Sequence, residues 1–150
     1  MRKILFILLI FILNFYVLAG CKDNKKESPE RAVSDIILCY NNEDIMCFWQ
    51  HIYPKDRYSV SQNIIANINK PDLFTILGYA LHKDNVTSDN ISAEEYIYGS
   101  FKIILGDKEM ELSEIEVIDE YNAQAVIKMG EKTAIMPVIN DNGKWYIRLK

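Results

Sequence analysis

The spacing of apolar residues changes once between Ser28 and the end of the chain, and that change divides the domain into two halves. Ala32, Val33, Ile36, Ile37 and Tyr40 recur at helical spacing while Glu30, Arg31, Ser34 and Asp35 fall off that face, which predicts a first helix. Ser28 suits its N-cap, Pro29 its first position and Glu30 the positive end of its dipole, and Asn41-Asn42 ends it. Asn42 is expected to cap a second helix as well, with Ile45, Phe48, Trp49 and Ile52 as its stripe and Tyr53-Pro54 as its stop. A third helix is expected over about residues 55–67, facing inward with Tyr58, Ile64, Ile65 and Ile68. Asn69-Lys70-Pro71-Asp72 then breaks the chain, and Leu73, Leu77, Ala80 and Leu81 predict a fourth helix to about His82.

Residues 83–90 are polar and read as a loop. Ser92 and Glu95 have capping-box spacing, and Ala93, Ile97, Phe101 and Leu105 follow at intervals of four up to Gly106. This predicts a fifth helix; a strand over residues 96–105 is the alternative, favoured by aromatic and β-branched content and disfavoured by Gly99. From Glu111 onward the period becomes two. Ile115 and Val117 alternate with Glu114 and Glu116, and after a turn near Tyr121-Asn122, Ala123, Ala125, Ile127 and Met129 alternate with Gln124, Val126 and Lys128. Gly130-Glu131 marks the next turn, residues 133–139 a third strand, and Asn142-Gly143 a hairpin turn into a last strand over residues 144–149. Pro137 has no N–H for a ladder, so it belongs at an edge or bulge. Amphipathic helices followed by an antiparallel sheet of about four strands make an α+β domain with the helices packed on the sheet.

Composition adds little to this picture but removes some functions. The 150 residues are 49% hydrophobic and 25% charged, the range of one globular domain plus a leader, and the formal charge is -4. Deleting residues 1–20 takes away Arg2 and Lys3 and no acid, which makes the remainder more negative still. A nucleic-acid partner is not expected, since a polyphosphate needs clustered cations.

The first 20 residues read as an export signal: Arg2 and Lys3, an apolar run from Ile4 to Leu18 interrupted by Asn14, then the small residues Ala19 and Gly20. Leu18-Ala19-Gly20-Cys21 resembles the lipobox of bacterial lipoproteins. The resemblance implies cleavage before Cys21 and a covalent lipid on that cysteine, so that residues 21–27 form a solvated tether and residues 28–150 a single domain. The implied location is the outer face of a cell membrane or an outer membrane.

Ser28-Pro29-Glu30 leading into helix one, together with the terminal Asn142-Gly143-Lys144-Trp145-Tyr146-Ile147, resembles small bacterial lipoproteins of unknown function with a nuclear-transport-factor-2-like domain. That likeness implies a curved, cone-like arrangement of sheet around a long helix, with a pocket between them. Enzymes of that fold move protons with a carboxylate or histidine inside the cone. His51, His82, Asp56, Tyr58 and Tyr79 are the residues of suitable type here, although His51 and His82 near predicted helix ends equally suit contacts with terminal carbonyls.

No HxxxH, HExxH or CxxC spacing, Gly-rich loop or Gly-x-Ser-x-Gly elbow occurs, so no cofactor or metal site is read from motifs. Cys39 and Cys47 face two readings, a disulfide across the corner between helices one and two or two buried or half-buried thiols, and the stripe places Ile37 and Tyr40 rather than Cys39 at the centre of the buried face. Among the aromatics, Trp49, Tyr58, Tyr79 and Trp145 are candidates to line a pocket, with core packing as the alternative. Alternation puts Trp145 and Tyr146 on opposite sheet faces. The expected function is a membrane-anchored domain that binds a protein partner or small apolar ligand at the cell envelope; a proton-transfer enzyme and a structural role are the alternatives.

Overall fold

The computed structural model of the chain describes residues 27–106 and 108–149. The expected leader, the expected lipidation residue Cys21 and the expected tether up to Lys26 lie outside the described residues, while Glu27, also assigned to that tether, is held against the domain by Trp145. Five helices precede four strands: α1 (Pro29–Asn41), α2 (Ile45–Gln50), α3 (Pro54–Ala66), α4 (Pro71–Leu81), α5 (Ala93–Leu105), β1 (Glu111–Val117), β2 (Asn122–Met129), β3 (Lys132–Asp141) and β4 (Lys144–Ile147). This is the expected α+β class. No helix among the described residues is long and apolar enough to cross a membrane.

Local chemistry explains most element boundaries. Ser28 Oγ accepts from the Arg31 amide and caps α1, whose stripe from Ala32 to Tyr40 is buried as its spacing requires. The second helix begins later than expected. Asn42 closes α1 by donating its N–H to Leu38, Glu43 turns the chain at φ 56°, and Asp44 supplies the cap by accepting from the Cys47 amide. Tyr53-Pro54 opens α3 instead of merely ending α2, because Pro is favoured at the first helical position.

The inward face of α3 also differs from expectation. Asp56, Val60 and Ile64 are buried, whereas Tyr58, Ile65 and Ile68 are exposed. A carboxylate with partners inside the fold rotates the helix away from its purely apolar stripe. Likewise α4 turns by about one position, so that Phe74, Leu77 and Gly78 are its buried residues. The segment after Ser92 is helix, with both halves of the capping box formed by Ser92 and Glu95. Gly99 serves this helix by admitting α4, because a Cβ there would stand 2.9 Å from Leu77 Cδ2.

The sheet is an antiparallel meander in the order β1-β2-β3-β4. Its helix-facing side carries Ala123, Ala125, Ile127 and Met129 from β2, Met136 and Val138 from β3, and Trp145 and Ile147 from β4, all buried. Trp145 therefore lies in the core and Tyr146 on the other face, half-buried. Asn142 and Gly143 both adopt positive φ, the two-residue turn their types favour. The outer edge of β4 is covered by the connection between α2 and α3: Ile52 bridges Ile147 in parallel, Tyr53 donates its N–H to the Ile147 carbonyl and Ile147 donates to that of His51. At the opposite edge, β1 carries Glu111, Glu114 and Glu116 and an irregularity between Leu112 and Glu114, features that discourage further pairing.

Strand β4 is two residues shorter than expected, and Pro137 explains why. Arg148 donates its N–H to the Pro137 carbonyl at 2.9 Å, but proline has no N–H to return, so the ladder stops. The Leu149 amide turns instead to the Asp56 carboxylate, 2.8 Å away. Pro137 thus sits where β3 becomes an edge strand.

The helical core is organised around rings. Phe48 lies 5.7 Å from Tyr98 and 5.1 Å from Phe101, ring centre to ring centre, and Tyr40 lies tilted 5.5 Å from Tyr98. The buried Tyr98 hydroxyl donates to the Tyr40 carbonyl. Burial raises its pKa, so it remains a neutral donor at any physiological pH. Asn41 pairs its side-chain amide with both backbone groups of Met110, which ties the end of α1 to the entry of β1.

Candidate functional site

The early end of β4 leaves an apolar groove between α5 and the sheet. It encloses about 480 Å³ and is lined by Ile97, Phe101 and Leu105 from α5, Ala134 and Met136 from β3, and the tail at Arg148 and Leu149. Ile104 and Ile135 stand at its rim, 71% and 65% exposed. These α5 positions are at intervals of four, so one helix face supplies one wall. The floor follows from strand periodicity. The backbone of Pro137 faces the β4 side, so those of Ile135 and Thr133, two and four residues back, face it as well. Beyond the end of β4, that edge has no strand partner among the described residues.

Two of the lining residues, Arg148 and Leu149, are held by one carboxylate. Asp56 accepts from Arg148 Nε at 3.1 Å and from the Leu149 amide at 2.8 Å, and only 7% of its side chain is exposed. The guanidinium also stands 5.3 Å from the Tyr53 ring. Asp56 is consequently a clamp on the tail.

A second cluster lies at the corner of α1 and α2. Cys39 and Cys47 are joined as a disulfide, with Cα atoms 5.5 Å apart. Cys39 is buried despite lying off the centre of the α1 stripe, because α2 folds back over it. A ring nitrogen of His51 lies within 4.8 Å of both sulfur positions. The His51 Nδ1 atom is buried and has no hydrogen-bond partner among the described residues. Burial lowers the pKa of this histidine, and the positive charge of Lys144 adds to the effect.

The remaining residues singled out from the sequence are dispersed. None of Trp49, Tyr58, Tyr79 and Trp145 lines the groove. Tyr58 and Tyr79 are 75% and 78% exposed, because α3 and α4 turn other faces inward. Trp49 is half-buried beneath the Arg57 guanidinium, 5.5 Å from its ring. Trp145 is a core residue whose indole N–H donates to the Glu27 carbonyl at 2.9 Å, fixing where the chain enters the domain.

His82 takes the left-handed conformation that ends α4 and opens onto a surface depression beside Glu43 and Lys102. Lys102 is buried and its ammonium pairs with the Glu43 carboxylate, holding that carboxyl below its ordinary range. Thus Asp56, His51 and His82 occupy three separate places. A proton-transfer site needs one of them in an enclosed cavity beside a second polar group; Asp56 is occupied by Arg148 and Leu149, and His82 faces an open depression.

The groove was only partly visible in the sequence. Ile97, Phe101 and Leu105 announce an apolar face, but the groove depends on the unequal lengths of β3 and β4. Comparison with known proteins gives no match: no family model fits the chain, and no curated protein or solved structure is significantly similar to it.

Proposed function

We propose that this chain is a lipid-anchored binding domain of the cell envelope whose groove receives an extended apolar segment of a partner protein. The observation that carries the reading is the apolar groove beside the open edge of β3. Backbone groups at Thr133 and Ile135 offer a ladder to an added strand, and alternate side chains of that strand would enter the space between α5 and Met136. The anchoring half of the reading rests on Arg2-Lys3, the apolar run and the Leu18-Ala19-Gly20-Cys21 lipobox. A nuclear-transport-factor-2-like domain, which the sequence resembles, is expected to place its pocket between sheet and helix, and the groove lies between those layers.

The test is a nuclear magnetic resonance titration of the soluble chain, with Cys21 replaced by Ser, using a capped Val-Thr-Val-Thr-Val peptide and a medium-chain fatty acid. Peptide binding should shift Ala134 and Leu149 and slow amide exchange at Thr133 and Ile135. Both effects should disappear in Ile104→Glu/Ala134→Glu. A fatty acid that shifts the groove signals without protecting those amides would favour a small apolar ligand. If neither probe perturbs the groove, the binding reading fails.

A further inference from the structure

We propose that Cys39, Cys47 and His51 form a redox-gated site for a single thiolate-preferring cation of the Zn²⁺ type, open only when the disulfide is reduced. The inference concerns a cluster distinct from the groove and does not depend on what the groove binds.

Three observations carry it. First, the donors converge: both sulfur positions and a ring nitrogen of His51 all lie within 4.8 Å of one another. Ligands about a tetrahedral Zn²⁺ stand about 3.8 Å apart for two sulfurs and about 3.6 Å for sulfur and nitrogen, from bond lengths of about 2.3 and 2.0 Å. Reduction breaks the bridge and frees the two sulfurs to separate to that spacing.

Second, the backbone positions are held by independent elements. Cys39 is buried on α1, and Cys47 and His51 are four residues apart at the end of α2, which puts them on one helix face. The His51 carbonyl accepts from Ile147 at 2.8 Å, so the sheet fixes the third ligand. Third, the buried Nδ1 of His51 has no hydrogen-bond partner among the described residues. Unsatisfied buried polar atoms are uncommon and costly, and a metal ligand is one of the roles that accounts for them. Three protein ligands leave a fourth position for water or another donor.

A dithiol reductant attacks one sulfur of the bridge, the mixed disulfide is resolved by its second thiol, and the reductant leaves as its own disulfide. Two electrons pass to Cys39 and Cys47, which become thiols with one proton each. A divalent cation then binds both sulfurs and the neutral imidazole, displacing two protons to solvent. In the oxidised protein the sulfur valences are occupied by each other, so the same residues cannot offer two thiolates.

The experiment is Co²⁺ titration of the full chain carrying Cys21→Ser, which removes the third thiol, before and after reduction with a phosphine. The reduced protein should bind one Co²⁺ with thiolate-to-cobalt charge-transfer absorption, and equimolar Zn²⁺ should bleach it. The oxidised protein should show no such band, a comparison that needs no further mutation. His51→Gln should weaken binding at least tenfold, and Cys39→Ser should abolish the charge-transfer band. Circular dichroism of each sample before metal addition establishes that it is folded. Equal Co²⁺ binding by reduced and oxidised protein, or undiminished affinity in folded His51→Gln, would overturn the proposal and leave a plain structural disulfide.

Discussion

Replacing Asp56 by Ala removes the clamp on the tail, and its cost can be worked from the contacts. Two hydrogen bonds to a largely buried carboxylate are lost, one from Arg148 and one from the Leu149 amide. Bonds to a charged group contribute roughly 1.5–3 kcal/mol each. The carboxylate also lies in the first turn of α3, where the helix dipole adds about 0.3–1 kcal/mol. Against this, the Arg148 side chain is 33% exposed and regains water when its partner goes, and the two bonds share one oxygen. A net loss of about 3 kcal/mol is expected, or about 10 °C in Tm for a domain of this size.

Asp56→Asn retains an acceptor for the Leu149 amide and forfeits the ion pair, so about half that loss is expected. Urea denaturation supplies the free energies, and amide exchange at Leu149 supplies the location. Protection there should fall by more than the global stability does, because the tail is released before the domain unfolds. A change below about 0.5 kcal/mol in Asp56→Ala, within the range of ordinary surface substitutions, would refute the assignment of Asp56 as a clamp.

Three further outcomes follow from other contacts. Glu43→Gln should destabilise the domain by about 1 kcal/mol at neutral pH, the upper range for a partly exposed pair, since Lys102 is left buried beside Tyr98. The Glu43 carboxyl is held below its ordinary value of 4.5, so the pair's contribution is present above that pH and is lost as pH falls through the depressed value. Acid-denaturation curves of Glu43→Gln should lack that loss. Gly78→Ala should destabilise by about 1–3 kcal/mol in thermal melts despite the better helix propensity of alanine, because its Cβ would meet the Lys83 carbonyl oxygen, a backbone atom, at 2.8 Å. Trp145→Phe should cost about 1 kcal/mol through the lost donor to Glu27 and should speed proteolysis near residue 27, as limited digestion would detect.

The helices and strands were legible in the sequence because their signals are local. Capping at Ser28 and Ser92, the Asn142-Gly143 turn and the switch of period at Glu111 depend on residues a few positions apart. The faces of α3 and α4 were less legible. Apolar spacing alone cannot reveal that Asp56 has Arg148 waiting 92 residues away, or that Gly78 and Gly99 admit neighbouring chain segments closely.

The groove and the cysteine–histidine cluster are tertiary in the same sense. Pro137 announced an edge, but only the pairing of β3 with a short β4, and the diversion of Leu149 to Asp56, determined what lies beside it. Cys47 and His51 carry recognisable helical spacing, yet Cys39 joins them only because α2 turns back on α1. Local residue patterns therefore carried the order of elements, the Ser28 and Ser92 caps, the Asn142-Gly143 turn and the expectation of an exported chain with Cys21 as its lipidation site. The packing determined which polar groups are buried and which strand edge stays open, since burial depends on partners distant in the chain.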